Sequence, residues 1–425
     1  MSKFIGIKNG KIQIISDNIF NNADLQILEL PEALCDIPSE KLLSEYIVKN
    51  NQIINKFTPL VAKHMKVAFV SNYAQACGLS TYFENLLQSL MGKVGDFKLF
   101  IETNAHATVS LSNISNEQMV TCWSRGEPLN NLIKELKEYN PDLIVINHEF
   151  GLYPNARHWM SMMTQLSNYK ILTILHSVFP YHYDKIIVEA SMKNILVHSE
   201  EARQVLYNKG SRSNIYVIPH GCYASTNQDK LWNFYKSDAT FMQIGFGFKY
   251  KAFEDCIKAT ALLKETYPNI FFTALFSESP HAKIEHDSYY NYLIELTNEL
   301  KVQDNVSIIR GFQDDKVIDA FLRTNKVAVF PYKLSEAHLV YGASGAARLA
   351  MSKNIPVITS GIPHFADLPT IKANDVNEIA KELGALFANR SKMVEQINKQ
   401  NIFIANNSWE ITANKYIQVF ESTLA

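Results

Sequence analysis

The sequence predicts an α/β protein built from two Rossmann-like domains that face each other across a cleft. The chain has 425 residues, more than the roughly 250–300 residues at which a single hydrophobic core stops growing. From residue 65 onward, apolar runs typical of buried strands alternate with amphipathic helical patterns, as in a parallel sheet covered by helices. A polar stretch at residues 222–238 divides this alternation into two series, so we expect one domain on either side of it.

The chain divides into four predicted units: an accessory segment 1–64, a first domain 65–222, a second domain 223–400 and a C-terminal helix 401–425 that crosses back to the first domain. In the accessory segment, Asn9-Gly10 predicts a hairpin turn, and a helix with Ser39 as its N-cap follows. Six apolar runs predict the first sheet: KVAFVSNY, FKLFIET, DLIVINHEF, KILTILHS, NILVHS and NIYVIPHG. Five more predict the second sheet: FMQIGFGF, IFFTALFS, NVSIIRGF, KVAVFPY and IPVITSG.

Composition and cysteine spacing narrow the class of protein. The formal net charge is −1, so no bulk positive field is available to hold a nucleic-acid backbone. The cysteines, Cys35, Cys77, Cys122, Cys222 and Cys256, include no C-x-x-C pair, which argues against a zinc site and a disulfide framework. Since the sequence has neither a signal-peptide layout nor an apolar run of roughly 20 residues, we expect a cytoplasmic protein, with peripheral membrane contact left open.

Four successive predicted strands of the first domain end in histidine, at His148, His176, His198 and His220. Ligands of open α/β sheets bind beyond the carboxyl ends of the strands, where these side chains would lie together. A structural hydrogen bond explains any one of them equally well, but four of the chain's 12 histidines on one edge indicate a polar edge that faces a ligand. A metal site is not indicated, because no acidic or thiol cluster accompanies them at ligand spacing.

A glycine loop follows the first strand of the first domain. Gly78 allows close approach of the backbone to a ligand, and Ser80 and Thr81 occupy positions where helix N-caps belong. A helix N-terminus here would present free amides to an anion. A tight turn without a ligand explains this single glycine at least as well.

The second domain has a sharper pattern for anion binding. Lys249 and Lys251 follow its first predicted strand, and Gly342, Ser344 and Gly345 begin a later helix whose amides would be open to a diphosphate. Solvated lysines and close helix packing are the structural alternatives. The sequence contains no G-x-x-x-x-G-K-[ST] loop, no G-x-G-x-x-G at this position and no G-x-S-x-G elbow, which disfavours P-loop phosphotransfer, dinucleotide binding and an α/β-hydrolase.

These segments resemble glycosyltransferase family 4, whose members have the GT-B fold of two Rossmann-like domains facing across a cleft. The resemblance covers roughly residues 65–425. The similar segments are KVAFVSNYAQACGLSTYFENLL, NHEFGLY, ILTILHS, ILVHSEEARQVL, VIPHG, FMQIGFGFKYKAFEDCIKATALL, KNIPVITSGIPHFADL and SWEITANKYIQVF.

The resemblance implies transfer of a sugar from a UDP- or GDP-type nucleotide diphospho-sugar to an acceptor hydroxyl with retention of configuration. It implies no further cofactor and no bound metal, and a glycan or lipid-linked acceptor in bacterial glycan or glycolipid synthesis. The implied catalytic residues are His176 and Lys251. The implied donor-binding residues are Gly78, Lys249, Lys251, Ser344 and Gly345, and the implied acceptor- or sugar-binding residues are His148, Glu149, His220 and Glu336.

The chain departs from the family pattern at three positions. The two glutamates that the family carries eight residues apart are replaced by Tyr341 and Leu349, which puts the contact to the donor ribose in doubt. The arginine that accompanies the phosphate-binding lysine is Phe246, for which Lys249 would substitute. Two alternatives therefore stay open: a phage-type enzyme that glycosylates a hydroxymethylated base in DNA, and a non-catalytic protein that binds a sugar nucleotide or a partner.

Overall fold

The computed structural model describes the backbone of five N-terminal strands and, with side chains, residues 62–75, 77–103, 114–225, 239–279, 282–334 and 339–425, except the side chain of residue 315. The N-terminal strands are β1 (Phe4–Lys8), β2 (Lys11–Ser16), β3 (Gln26–Glu29), β4 (Tyr46–Lys49) and β5 (Gln52–Asn55). They form an antiparallel sheet in the order β3-β1-β2-β4-β5.

This N-terminal sheet confirms one local prediction and corrects another. β1 and β2 pair antiparallel with Lys8 opposite Lys11, as the hairpin signal predicted. The predicted helix is wrong over residues 46–49 and 52–55, where β4 and β5 pair instead, and its proposed cap Ser39 lies outside the described residues. Pairs of β-branched residues, Ile47-Val48 and Ile53-Ile54, favour strands there, and pairing outweighs the helical periodicity.

The first large sheet has seven parallel strands in the order β12-β11-β10-β9-β6-β7-β8. Its strands are β6 (Ala62–Ser71), β7 (Val94–Glu102), β8 (Met119–Trp123), β9 (Leu143–His148), β10 (Lys170–Leu175), β11 (Asn194–Val197) and β12 (Asn214–Val217). Its helices are α1 (Gly78–Leu90), α2 (Asn130–Tyr139), α3 (Ala156–Gln165), α4 (Tyr183–Ala190) and α5 (Glu200–Asn208). Every residue of β9 is buried, because helices cover both faces of the sheet.

The second large sheet has six parallel strands in the order β15-β14-β13-β16-β17-β18. Its strands are β13 (Thr240–Phe246), β14 (Phe271–Ser277), β15 (Val306–Arg310), β16 (Val327–Phe330), β17 (Val357–Thr359) and β18 (Ile371–Lys372). Its helices are α6 (Phe253–Leu263), α7 (Lys283–Glu299), α8 (Asp315–Thr324), α9 (Gly345–Ser352), α10 (Val376–Ala388) and α11 (Arg390–Asn406). The strand order reverses between β13 and β16, and such switch points form the ligand crevice of open sheets.

The last helix, α12 (Trp409–Leu424), packs on the first sheet although it follows the second. One hydrophobic cluster contains Trp409, Tyr416 and Phe420 of α12 together with Phe69 of β6 and Phe83 of α1. The crossing begins after Asn406, where α11 ends, rather than at residue 401. In the described part of the chain, no helix combines the length and the apolar character needed to cross a membrane.

Candidate functional site

The carboxyl ends of the two large sheets meet, and backbone hydrogen bonds join them at two places. Val178, which follows β10, exchanges two hydrogen bonds of 2.9 Å with Tyr341, which precedes α9. Near the crossing, the Cys222 N–H donates to the Asn407 carbonyl at 2.8 Å, and the Trp409 N–H donates to the Cys222 carbonyl at 3.0 Å. The site is therefore bounded by the strand ends of both domains.

Two of the strand-end histidines belong to a buried hydrogen-bonded chain. His198 Nδ1 contacts the Ile218 carbonyl at 3.0 Å, and His198 Nε2 lies 3.2 Å from His176 Nδ1. The other ring nitrogen of His176 is hydrogen-bonded to the Asn147 side chain. Both nitrogens of His176 are thus occupied, so the predicted contact of this ring with a reacting hydroxyl finds no free nitrogen here.

The chain of polar contacts continues along the same edge of the sheet. Asn147 donates to Ser71 Oγ at 2.9 Å, and Gln75, in the loop after β6, donates to Glu102 at 3.1 Å. Arg125, just after β8, binds both carboxylate oxygens of Glu102 at 3.1 and 3.0 Å. Polar groups at the strand ends of this sheet are thus hydrogen-bonded to one another, as buried polar groups in folded proteins usually are.

Burial sets the protonation of the two coupled histidines. It lowers the pKa of His198 to about 4, and it holds the pKa of His176 well below its usual range, with His198 as the next contributor. The ring of Tyr82 packs on both imidazoles, with centroids at 5.2 and 4.6 Å. Both rings are therefore neutral near pH 7 and supply shape and dipoles rather than charge.

His148 ends β9 but does not join this chain of polar contacts, and its complete burial leaves its predicted role in sugar binding without an accessible surface. Its side chain has no exposed surface and packs against Tyr153 and Trp159, with ring centroids at 5.3 and 4.5 Å. Burial lowers the pKa of this imidazole to about 3. The His148 ring packs against members of one hydrophobic cluster, whereas the His176 ring packs against Tyr82 of the other. The two side chains therefore lie on opposite faces of the sheet.

Glu149, the next residue, does face the cleft. Its carboxylate accepts hydrogen bonds from Ser177 Oγ at 2.6 Å and from the Phe150 N–H at 3.0 Å, and burial raises its pKa. Burial raises the pKa of Tyr250 in the second domain, and the charge of Glu149 adds to that rise from across the cleft. The other predicted acceptor-side glutamate, Glu336, lies outside the described residues.

His220 lies against the helix predicted to bind the donor. Its Nδ1 contacts the Gly221 carbonyl at 2.7 Å, and no described residue is hydrogen-bonded to its Nε2. A Cβ placed on Gly345 would lie 3.4 Å from His220 Nε2 and, on Gly342, 3.0 Å from the His176 carbonyl oxygen. The small residues of this segment therefore let both first-domain strand ends approach the start of α9 closely.

The first turn of α9 is open to a ligand. Ser344 is its N-cap, and its Oγ accepts from the Ala347 N–H at 3.3 Å. In the described residues no acceptor binds the amides of Gly345 and Ala346, and Gly345 is exposed. Free amides at the positive end of a helix are the groups that bind a phosphate.

Lys251 follows β13 at the switch point, and no described carboxylate pairs with it. Its half-buried ammonium lies 3.8 Å from the centroid of the Tyr332 ring and 4.8 Å from that of Tyr250. Burial lowers the pKa of Lys251 to about 7. A buried cation with no counter-ion is costly, and an anionic ligand would remove that cost.

The remaining residues predicted to bind the donor, Lys249 and Gly78, are both exposed. Lys249 is exposed, and the second-domain ion pair of Asp255 is with Lys333 instead, at 2.6 Å. Gly78 is the first residue of α1, is exposed and has open space where a side chain would point. Ser80 is not an N-cap as predicted: α1 begins two residues earlier, and Ser80 Oγ instead bridges the Gln75 N–H and Glu84.

Three site residues were not singled out from the sequence: Tyr332, Arg348 and His364. His364 follows β17, and its Nε2 lies 3.4 Å from a Cβ placed on Gly342. Applying the strand-end rule to the second sheet would have found Tyr332 and His364, which follow β16 and β17. Arg348 sits inside α9, where its burial carries no sequence signal.

We expect diphosphate binding to depend on pH through Lys251. In the free protein its pKa is about 7, and a bound diphosphate would raise that pKa by favouring the charged form. Affinity should then fall as pH rises from about 7.5 to 9, by up to about tenfold per unit, with proton uptake on binding. Calorimetry with UDP in buffers of different ionisation enthalpy measures this. A pH-independent affinity, or the same dependence in Lys251→Ala, would contradict the assignment.

Comparison with known proteins supports the fold. No family model and no curated protein sequence matches this chain. Among solved structures, sucrose-phosphate synthase from Thermosynechococcus elongatus is 15% identical with a TM-score of 0.64, covering 84% of this chain and 98% of that one. The chain has the GT-B fold.

Two further structures agree with this fold assignment. HepE of Anabaena, solved with UDP-glucose, is 14% identical with a TM-score of 0.62, over 85% of this chain and 100% of HepE. The trehalose-6-phosphate synthase OtsA is 13% identical with a TM-score of 0.64, over 84% of this chain and 98% of that chain. The predicted architecture of two Rossmann-like domains facing across a cleft is therefore confirmed.

Proposed function

We propose that this chain is a glycosyltransferase that moves a sugar from a nucleotide diphospho-sugar to an acceptor hydroxyl with retention of configuration. The observation that carries the proposal is Lys251, a half-buried ammonium whose counter-ion is absent from the described residues. It lies at the switch point of the second sheet, where α9 also presents unbound amides. A diphosphate would complement both groups, and the GT-B neighbours include a protein solved with UDP-glucose.

The chemistry needs the departing diphosphate to be stabilised while the bond to the sugar breaks. Lys251 would supply positive charge, and the amides of Gly345 and Ala346 would supply hydrogen bonds aimed at that charge. Neutral His220 Nε2 would face the same helix end from the first domain. The bond from the anomeric carbon to the diphosphate oxygen breaks, a bond to the acceptor oxygen forms on the same face of the sugar, and the acceptor's hydroxyl proton passes to the departing diphosphate.

A thermal-shift screen of nucleotides and nucleotide sugars tests this proposal. A ligand that binds only the folded chain raises its apparent stability, by about 2.7 kcal/mol at a hundred times its dissociation constant. We expect UDP- or GDP-type compounds to stabilise the chain more than the matching monophosphates. Equal stabilisation by monophosphates and diphosphates would contradict a site that recognises the diphosphate.

Transfer is expected to proceed without a divalent metal, because Lys251 and the α9 amides would take over the neutralising role of such an ion. The carboxylate of Asp314 is engaged in its own helix, because it caps α8 by accepting from the Val317 N–H at 2.9 Å. Activity should survive a chelator, and the product should retain its anomeric configuration by nuclear magnetic resonance. Loss of activity in chelator that Mg²⁺ or Mn²⁺ restores, or an inverted product, would reject this mechanism.

For the acceptor, the surface of the first domain favours a glycan or lipid-linked molecule over DNA. Tyr181, just before α4, and Tyr183, its first residue, are each 75% exposed. Ile187 is 40% exposed one turn further along that helix. Clustered exposed apolar groups mark contacts with lipids or partners rather than with a phosphate backbone. The patch begins three residues after Val178, whose backbone pairs with Tyr341 of the second domain.

A further inference from the structure

Arg348 is a buried cation at the junction of the two domains. Its side chain is 1% exposed, and it lies in α9, one turn after the amides proposed to bind the diphosphate. Burying a guanidinium is expensive unless its donors are satisfied. The buried guanidinium of Arg348 therefore needs a hydrogen-bond acceptor for each of its three nitrogens.

Each nitrogen of the Arg348 guanidinium binds a different segment. Nε donates to the His220 carbonyl of the first domain at 3.1 Å. One terminal nitrogen donates to the carbonyl of Ser344, the N-cap of the same helix, at 3.2 Å. The other forms an ion pair with Asp367, which follows β17. A single planar group thus ties together the first domain, the donor helix and the adjacent loop of the second sheet.

The contact with His220 is the part that spans the two domains. It holds the backbone of a residue whose imidazole Nε2 lies 3.4 Å from a Cβ on Gly345, at the free end of α9. The charge of Arg348 also lowers the pKa of His220, after the larger effect of burial, and so keeps that ring neutral. The position of this first-domain histidine is therefore held by the arginine, whose charge adds to the effect of burial on the ring.

We propose that Arg348 is the interdomain latch of the site: its guanidinium holds His220 against the first turn of α9, so that both domains contact the same diphosphate. This inference rests on the proposed function for its ligand, but the latch itself is a property of the ligand-free chain. Arg348 is a positioning residue, because its donors are committed to protein oxygens and it acts through His220.

The latch is tested by hydrogen exchange in the ligand-free chain. Arg348→Met should raise exchange at least about tenfold at the interdomain amides of Val178 and Tyr341, and leave β9 unchanged. Arg348→Lys should show a smaller rise, because an ammonium cannot bind three oxygens in one plane. Lys353→Met is the matched control, since it removes a cation at the other end of α9 that pairs only with Asp319 in the same domain among the described residues.

Kinetics separate a latch from general stabilisation. With saturating acceptor and the donor concentration varied, Arg348→Met should lower kcat at least about tenfold while the KM for the donor changes less than threefold, and Arg348→Lys should recover part of kcat. If Arg348→Met does not fold, the Arg348→Lys comparison carries both readouts. Exchange at Val178 and Tyr341 equal to that of Lys353→Met would overturn the latch. If wild type binds no nucleoside diphosphate while the exchange result holds, the proposed function fails and the latch stands.

Discussion

Replacing Lys251 by alanine is expected to weaken binding of the nucleoside diphosphate by about ten- to a hundredfold while the chain stays folded. The lost contact is a hydrogen bond from a charged group, worth about 1.5–3 kcal/mol. The ammonium makes only ring contacts with Tyr250 and Tyr332 in the described part of the structure, so its removal costs little stability. Isothermal calorimetry with UDP and GDP measures the change in affinity, and circular dichroism reports the fold.

Lys249→Ala is the matched control for this experiment. Lys249 lies two residues away in the same loop, and its side chain is exposed, so we expect a smaller loss of affinity. Equal losses in the two variants would show that the loop contributes general positive charge rather than a specific contact. An unchanged affinity in Lys251→Ala would remove the phosphate role of this residue.

Trp409→Ala is expected to lower the free energy of unfolding by about 3–5 kcal/mol, the usual cost of deleting a buried tryptophan side chain. Trp409 begins α12 and is 7% exposed, with ring centroids 5.1 Å from Tyr82 and 5.2 Å from His220. Gly221 fits against the indole ring only because it has no Cβ, since a Cβ there would overlap that ring. The variant should therefore loosen the attachment of α12 to the first domain and disturb the neighbouring histidines.

Urea unfolding followed by circular dichroism measures this loss. Ile402→Ala is the control, because Ile402 lies near the end of α11 and is 66% exposed. We expect a change within about 0.5 kcal/mol for that variant, as for ordinary surface substitutions. A loss below about 1 kcal/mol in Trp409→Ala would mean that α12 is not held by this side chain.

The architecture could be predicted because its signals are local. The run LIVINH of β9 has no exposed residue, and such apolar runs between amphipathic helices indicate a parallel sheet. Asp314 caps α8, as an aspartate just before a helical pattern indicates. The N-terminal segment was harder, since periodicity over residues 46–55 suits a helix, whereas pairing between β4 and β5 decides the structure.

The site could be predicted only in part. Strand ends give the edge on which polar residues meet, but not which of them bind one another, because the partners lie on different strands. His176 is engaged by Asn147 and His198, each more than 20 residues away along the chain. The direction in which His148 points depends on packing around Trp159. The Arg348 contact with His220 joins residues 128 positions apart, which no spacing rule captures.

The central claim is that Lys251 and α9 bind the diphosphate of a nucleotide sugar whose bond to the sugar is then broken. The most direct test incubates wild type and Lys251→Ala with a panel of UDP- and GDP-sugars and measures released nucleoside diphosphate by chromatography. We expect wild type to release UDP or GDP from one donor class, and Lys251→Ala to release it at least about tenfold more slowly. No release from any donor by folded wild type, together with no binding of UDP or GDP, would contradict the account.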